Sequence, residues 1–155
     1  MSIDIGIGDN ARKEISDALA KVLADSYLLY LKTHGYHWNV KGPSFQQLHA
    51  LFEEQYREIW DAVDEIAERI RALDHEAPAS YAAFAKLASV QESETLPDAE
   101  GMVADLVKAN EAVLKTVRAA MPAAQDGGDE ATFDLMVQRL SAHEKAAWML
   151  RSHLA

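Results

Sequence analysis

The sequence predicts an all-α protein, and three observations support this prediction. Four long stretches carry apolar residues at the three- and four-residue spacing of amphipathic helices. No stretch alternates polar and apolar residues over the length of a strand. The chain has 155 residues, 49% of them hydrophobic and 26% charged, so one full core can be built. We expect a single domain over residues 1–155, in which residues 1–9 form a short N-terminal segment without a basic tail.

The first two helices are bounded by helix-breaking and capping residues. The first is expected from about Asn10 to His37, because Gly42 and Pro43 soon break the chain. The second is expected to begin at Ser44, where Ser44-x-x-Gln47 has the spacing of a capping box. The connection between these helices is therefore short.

The third and fourth helices are separated from the first two by one long connection. About 23 residues, 74–96, lie in this connection, with a short helix expected around Tyr81–Leu87. The third helix follows Pro97 and is expected to stop at Met121–Pro122, and the fourth begins near Asp129. A single long crossover among three connections is typical of a ferritin-like four-helix bundle.

Composition excludes several classes of function. The formal net charge is −10, which argues against a surface that coats DNA or an anionic membrane. The absence of cysteine excludes disulfides, thiolate zinc sites, iron–sulfur ligation and cysteine nucleophiles. No secretory leader or bilayer-spanning run is evident. We therefore expect a cytoplasmic protein, with the nucleoid as the place of any association with DNA.

One face of the second helix carries a histidine and three acidic residues. His49, Glu53, Asp64 and Glu68 share a sector about 100° wide, which is roughly 130° from the apolar stripe of that helix. Trp60 lies among them, and a tryptophan on a face turned away from the core indicates that a second chain packs there. Each pair alone is equally typical of a solvated helix face.

Distance along the helix divides this face into two pairs. His49 and Glu53 lie about 22 Å from Asp64 and Glu68, so one metal ion cannot bind both pairs of the same helix. Two antiparallel copies related by a dyad would bring opposite pairs together at two identical sites. Imidazole and carboxylate ligands suit iron, and manganese and zinc stay open. No Glu-x-x-His motif occurs, which disfavours a di-iron site within one chain.

At this point the residues resemble a known family. The stretch from Thr33 to Ile70 contains H-W-N-V-x-G-P, then L-H, then D-x-x-x-E, and it is similar to the signature of the Dps family, the miniferritins. The closing HEKAAWMLRSHL is similar to the family's last helix. The resemblance implies a hollow homododecamer built on dyad dimers. It also implies a ferroxidase that oxidises Fe(II) with hydrogen peroxide or O2, stores the ferric mineral and protects DNA.

The resemblance also implies roles for individual residues. The matching iron ligands are His37 and His49 from one subunit with Asp64 and Glu68 from its dyad mate, and each such site holds two iron ions. Glu53 matches a metal-binding position where the family usually has Asp. By themselves, the residues favour a simpler role for His37, which lies near the C-terminal dipole of the first helix.

Three further residues match positions outside the ligand set. Trp38 matches a tryptophan that gives electrons to stray oxidants near the centre. Glu130 and Asp134 match the acidic lining of a threefold pore through which iron enters the shell. Acidic residues are also favourable at any helix N-terminus, so the pore has a purely structural alternative.

The acidic N-terminus departs from family members that bind DNA through a Lys-rich tail. We therefore expect direct DNA binding to be absent or weak. Two alternatives stay open, namely a nucleoid-associated, DNA-compacting protein with a mainly structural metal site, and a helical scaffold without metal. Iron oxidation by peroxide separates ferroxidase from scaffold, and a gel shift tests DNA binding.

Overall fold

Four long helices and one short helix make up the protein. The computed structural model describes residues 1–155 and contains no β-strand. None of the helices combines the length and the apolar character needed to cross a membrane. The expected all-α architecture with one long crossover and a short helix inside it is confirmed. The helices are α1 Asp9–Asn39, α2 Phe45–Ala72, α3 Tyr81–Leu87, α4 Ala99–Asp126 and α5 Glu130–Ser152.

The core lies between the four long helices. Helix α1 packs against α2, α3 and α4, and α4 packs against α5, whereas α2 and α5 approach each other little. Burial of each large apolar side chain stabilises the fold by about 1.5–3 kcal/mol. The fully buried residues include Leu19 and Leu29 of α1, Phe52 and Ile66 of α2, Leu106 of α4 and Met136 of α5.

A buried carboxylate fastens the crossover to the bundle. Asp25 of α1 is completely buried and accepts hydrogen bonds from the backbone N–H of Ser89 at 2.6 Å and of Val90 at 3.0 Å. The hydroxyls of Ser89 and Thr116 also donate to it, each at 2.6 Å. These four donors satisfy the carboxylate and link α1, the crossover and α4.

A polar network joins α2, α4 and α5. Arg139 forms a bidentate ion pair with Glu58 and donates to Nε2 of His143 at 3.1 Å. Nδ1 of His143 in turn donates to the side-chain oxygen of Asn110 at 3.0 Å. Burial, together with the charge of Arg139, lowers the pKa of His143 to about 3, so this histidine is neutral. His143 is therefore a core histidine whose ring nitrogens are bonded to a guanidinium and an amide.

The expected stop of the third long helix at Met121–Pro122 is wrong, because α4 continues to Asp126. Proline inside a helix costs about 3 kcal/mol, but the last turn of α4 buries Ala124 completely. The helix ends at Gly127, where a β-carbon would lie only 3.0 Å from the side chain of Ile15. Close packing against α1 therefore outweighs the local effect of proline and places the end of the helix at a glycine.

Side-chain caps are present at the starts of α4 and α5 and absent at the start of α2. Asp98 accepts from the N–H of Gly101 at 2.8 Å, and Asp129 accepts from the N–H of Thr132 at 2.9 Å. The capping box expected at Ser44 is wrong, since its side chain makes no cap hydrogen bond. With ψ of 19°, Ser44 lacks the extended conformation that directs a hydroxyl toward the first helical turn.

Candidate metal centre

Two histidines from different helices lie face to face at one end of the bundle. His37 belongs to the last turn of α1, and His49 lies near the start of α2. Their rings are nearly parallel, with centroids 3.7 Å apart and an interplanar angle of 12°. The short connection between α1 and α2 thus brings together two residues that are twelve positions apart.

Reciprocal hydrogen bonds fix the orientation of both rings. Nδ1 of His37 donates to the carbonyl oxygen of His49 at 2.7 Å, and Nδ1 of His49 donates to the carbonyl oxygen of His37 at 2.7 Å. A carbonyl oxygen only accepts, so the proton of each neutral ring must be on Nδ1. Each Nε2 therefore keeps a lone pair, which is the form of histidine that binds metal ions.

A carboxylate stands beside these lone pairs. Glu53 lies one turn after His49, and its Oε1 is 3.7 Å from Nε2 of His37. Its Oε2 is 3.5 Å from Nε of Arg57, whose side chain is largely exposed. We call His37, His49 and Glu53 the histidine half-site. Imidazole nitrogen and carboxylate oxygen are donor types that suit Fe(II), but these three side chains do not converge on one ion within the chain.

The acidic pair of α2 has a different environment. Asp64 and Glu68 are exposed and make no side-chain hydrogen bond or ion pair within the chain. We call them the acid half-site. Asp64 lines an open cavity of about 590 Å³ together with Tyr27 and Trp60. Trp60 is 56% exposed, as its position on the helix face predicted.

The chain does not bring the two half-sites together. No group of three or more histidine, aspartate or glutamate side chains is placed to hold a metal ion within one chain. Fifteen residues separate each member of one helical pair from its counterpart, which is about 22 Å along α2. The prediction that a second chain completes the site therefore stays a prediction, and the geometry of one chain agrees with it.

The remaining predicted residues lie near the two ends of the bundle. Trp38 is 62% exposed, and its ring centroid is 4.4 Å from that of His34. Glu130 and Asp134 are exposed at the start of α5 and line an open cavity of about 380 Å³. Gln138 donates to Asp134 at 2.8 Å. Their roles as electron donor and pore lining stay predictions.

An ion pair ties the acid half-site to the start of α5. Arg69, which follows Glu68, donates to Asp129 at 2.8 Å and to the hydroxyl of Thr132 at 2.9 Å. Burial raises the pKa of Asp129, but hydrogen bonds from Thr132 and Arg69 outweigh burial and hold this pKa below its usual value. The charged pair therefore positions the end of α2 relative to the first turn of α5.

The sequence reasoning missed a group of aromatic side chains beside the histidine half-site. The hydroxyl of Tyr30 lies 2.8 Å from Nδ1 of His34, and the His34 ring stacks on Tyr56 with centroids 3.8 Å apart. The four-residue spacing of Tyr30 and His34 was the available signal, because side chains at this spacing meet on a helix. The contribution of Tyr56 depends on how α1 and α2 pack.

Comparisons with known proteins cover almost the whole chain. The ferritin-like domain family matches residues 16–155. DNA protection during starvation protein 2 of Bacillus anthracis is 41% identical over 142 residues, which are 92% of this chain and 97% of that protein.

Solved structures show the same fold. A Dps protein from Vibrio cholerae O1, described as a ferritin-like diiron-carboxylate protein, has a TM-score of 0.93 and 33% identity and covers 100% of this chain and 98% of its own. DpsC from Streptomyces coelicolor has a TM-score of 0.95 and 29% identity, with coverage of 100% and 91%. These matches agree with the four long helices and the long crossover described above. The chain belongs to the Dps family of ferritin-like proteins.

Proposed function

We propose that this protein is a cytoplasmic ferroxidase that oxidises Fe(II), preferably with hydrogen peroxide, at centres shared between two subunits. The observation that carries the proposal is the division of ligands along α2. The histidine half-site presents two free Nε2 atoms beside Glu53, and the acid half-site lies about 22 Å away on the same helix.

Two antiparallel α2 helices from different subunits would bring the separated half-sites together. A dyad near residues 58 and 59 sets the histidine half-site of one subunit against the acid half-site of its mate, at two symmetric places. Trp60 lies next to this axis, and its exposed ring supports burial against a second chain. Each centre then has two nitrogens and three carboxylates, enough to bind two Fe(II) substrate ions.

The chemistry follows from this ligand set. Carboxylates are hard ligands that bind both Fe(II) and Fe(III), and neutral imidazole leaves coordination positions open for peroxide. Peroxide takes two electrons to become water, so two Fe(II) ions held together reduce it without release of hydroxyl radical. The fixed Nδ1–H bonds of His37 and His49 keep both nitrogen donors aimed at the substrate ions.

Storage requires a closed shell. We propose that dyad dimers assemble through a second contact into a dodecamer, which encloses the ferric product. Glu130 and Asp134 are proposed to line the pore through which Fe(II) enters, since both are exposed beside an open cavity. A mass measurement that finds monomers or isolated dimers at micromolar concentration would contradict the shell.

DNA protection in this proposal comes from removal of iron and peroxide. The alternative, direct compaction of DNA, finds little support in a chain with net charge −10 and an acidic N-terminal segment. A gel shift of duplex DNA at about 0.15 M salt and pH 7.5 is expected to show weak or no binding. Tight, metal-independent binding would favour the alternative.

Subunit complementation tests the shared centre. One variant carries His37→Ala and His49→Ala, and the other carries Asp64→Ala and Glu68→Ala. Each variant alone is expected to lose fast peroxide-driven iron oxidation, because every centre then lacks half of its ligands. When the two variants are unfolded and refolded together, each mixed dimer has one intact centre.

Activity within the mixed-dimer population is therefore expected to return to about half that of the unmodified protein, as the twofold symmetry requires. A ligand set that came from one chain could not be restored by any mixture. Shells that form from mixed dimers and stay inactive would overturn the proposed centre. Separately refolded variants, mixed only after assembly, serve as the control.

A further inference from the structure

Aromatic rings of α1 and α2 form a continuous row beside the histidine half-site. Tyr56 lies next to the histidine half-site, with its ring centroid 5.2 Å from that of His37. His34 stacks on Tyr56 at 3.8 Å, Tyr30 lies 6.1 Å from Tyr56, and Trp60 lies 5.1 Å from Tyr30. We call His34, Tyr56, Tyr30 and Trp60 the aromatic ladder.

The far end of the ladder lies at the acid half-site. Trp60 precedes Asp64 by one helical turn, and both residues line the same open cavity. The ladder therefore begins beside the histidine half-site and ends beside the acid half-site of the same chain. In the dyad arrangement these half-sites belong to two different centres, so each subunit contains one ladder between the two centres of its dimer.

The middle of the ladder holds a tyrosine with a base for its proton. Burial raises the pKa of Tyr30, so its hydroxyl stays protonated. Nδ1 of the His34 ring lies 2.8 Å from this hydroxyl, which is the distance of a hydrogen bond from a phenol to an unprotonated imidazole nitrogen. When Tyr30 loses an electron, its proton can move to His34 and return.

We propose that the aromatic ladder conducts electrons between the two centres of a dimer, so that Fe(II) ions bound at different centres can reduce one hydrogen peroxide molecule. This inference rests on the proposed function, because it needs the shared centres. Electron transfer falls steeply with distance, and the ladder replaces a separation of about 22 Å by steps between neighbouring rings.

Two Fe(II) ions at different centres supply the two electrons that one peroxide molecule takes up. At the centre that meets peroxide, Fe(II) gives the first electron and the O–O bond breaks, which leaves hydroxide and an oxidant at the level of hydroxyl radical. The ladder gives the second electron, and the phenolic proton of Tyr30 passes to His34. Fe(II) at the other centre refills the ladder through Trp60, and the proton returns to Tyr30. In sum, two Fe(II), one H2O2 and two solvent protons give two Fe(III) and two waters.

Loading with little iron distinguishes electron transfer along the ladder from reduction of peroxide by two Fe(II) ions within one centre. The assembled protein is loaded without oxygen with one Fe(II) per centre or with two, and peroxide is then added. At one Fe(II) per centre, the unmodified protein is expected to use two Fe(II) per peroxide and to form a transient tyrosyl radical, seen by freeze-quench electron paramagnetic resonance. Ring-deuterated tyrosine identifies that signal.

Tyr30→Phe keeps the ring and removes the oxidisable hydroxyl. At one Fe(II) per centre it is expected to lose the tyrosyl signal, approach one Fe(II) per peroxide and release several-fold more hydroxyl radical to a spin trap. At two Fe(II) per centre it is expected to match the unmodified protein, since each centre then supplies both electrons. Trp60→Phe interrupts the refilling of the ladder, so at one Fe(II) per centre the tyrosyl signal should last longer and the Fe(II) used per peroxide should fall toward one.

Tyr81→Phe is the matched control, because Tyr81 is exposed on α3 and makes no ring contact with the ladder. It should behave like the unmodified protein at both loadings. If Trp60→Phe weakens the dimer, Tyr30→Phe alone decides the outcome. Rapid oxidation at full loading combined with no tyrosyl signal, and no effect of Tyr30→Phe at sparse loading, would overturn the ladder. Failure to oxidise iron at full loading would overturn the proposed function.

Discussion

The two half-sites of α2 differ in how much of their geometry exists before any metal ion binds. In the histidine half-site, two hydrogen bonds of 2.7 Å fix both rings, and His37 is only 7% exposed. In the acid half-site, Asp64 and Glu68 are exposed and have no partner within the chain. In the proposed shared centre, the fixed nitrogen donors would therefore define the positions of the ions, and the exposed carboxylates of the other subunit would adjust to them.

The two half-sites are also expected to differ in their effects on the free energy of unfolding, although both contribute to Fe(II) affinity. Removal of Asp64 and Glu68 takes away no hydrogen bond or ion pair within the chain, whereas removal of His37 and His49 eliminates two hydrogen bonds and a ring stack. Both double alanine variants are expected to lower Fe(II) affinity by more than about 100-fold, measured by anaerobic titration. Only the histidine variant should also lose about 1–3 kcal/mol of unfolding free energy in urea.

The acid variant is expected to stay within about 0.5 kcal/mol of the unmodified protein. Equal destabilisation of the two variants would show that the acid half-site has structural partners, and the contrast between the half-sites would then fail. Glu65→Ala, an exposed acidic change on the same helix outside the half-site, controls for altered net charge.

The side chains of the acid half-site have no partner, but the helix end that carries them is held by the ion pair between Arg69 and Asp129. Asp129 is almost completely buried, caps α5 and pairs with Arg69, which follows Glu68. Asp129→Ala removes both interactions and is expected to cost about 2 kcal/mol of unfolding free energy. Asp134→Ala, at an exposed position of the same helix, should change it by less than about 0.5 kcal/mol. A loss of unfolding free energy below about 0.5 kcal/mol in Asp129→Ala would show that the Arg69–Asp129 ion pair does not stabilise the end of α2.

His143 differs from His37 and His49 in having no nitrogen left for a metal ion. Arg139 and Asn110 already bond to both nitrogens of its ring. Its pKa is lowered from 6.5 to about 3, so the unfolded chain binds a proton that the folded chain does not. Stability is therefore complete above pH 6.5 and falls below it by up to about 1.4 kcal/mol per pH unit.

His143→Gln is expected to reduce this slope in urea unfolding measured between about pH 7 and 5. His153→Gln, at an exposed position, should leave the slope unchanged. A His143→Gln variant with an unaltered slope would place the pH dependence in other groups.

The smallest expected effects concern the helix starts. Ser44→Ala at the start of α2 should change the unfolding free energy by less than about 0.5 kcal/mol, because its hydroxyl makes no cap hydrogen bond. Asp98→Ala at the start of α4 should cost about 1 kcal/mol, because its carboxylate caps Gly101 at 2.8 Å. Thermal unfolding of both variants measures the difference, and equal losses would contradict it.

Features that depend on periodicity were predictable from the sequence, and features that depend on packing between helices were not. The 3.6-residue period of α2 placed Asp64 and Glu68 on an exposed face and Ile66 in the core, as observed. The stacking of His37 on His49 depends on the path of residues 40–44 between two helices. Local rules failed at Pro122, where packing of α4 against α1 outweighed the proline.

Asp25 has a consequence for the order of events during synthesis. Its donors at Ser89 and Thr116 follow it by 64 and 91 residues, so α1 leaves the ribosome long before they exist. Burial of a carboxylate without partners is strongly unfavourable, and the early α1–α2 hairpin therefore stays open on the side of Asp25. We expect nascent chains that end before residue 116 to be digested rapidly by protease, and longer chains to become resistant. In Asp25→Ala chains this difference should shrink, because no late-arriving partner is then required.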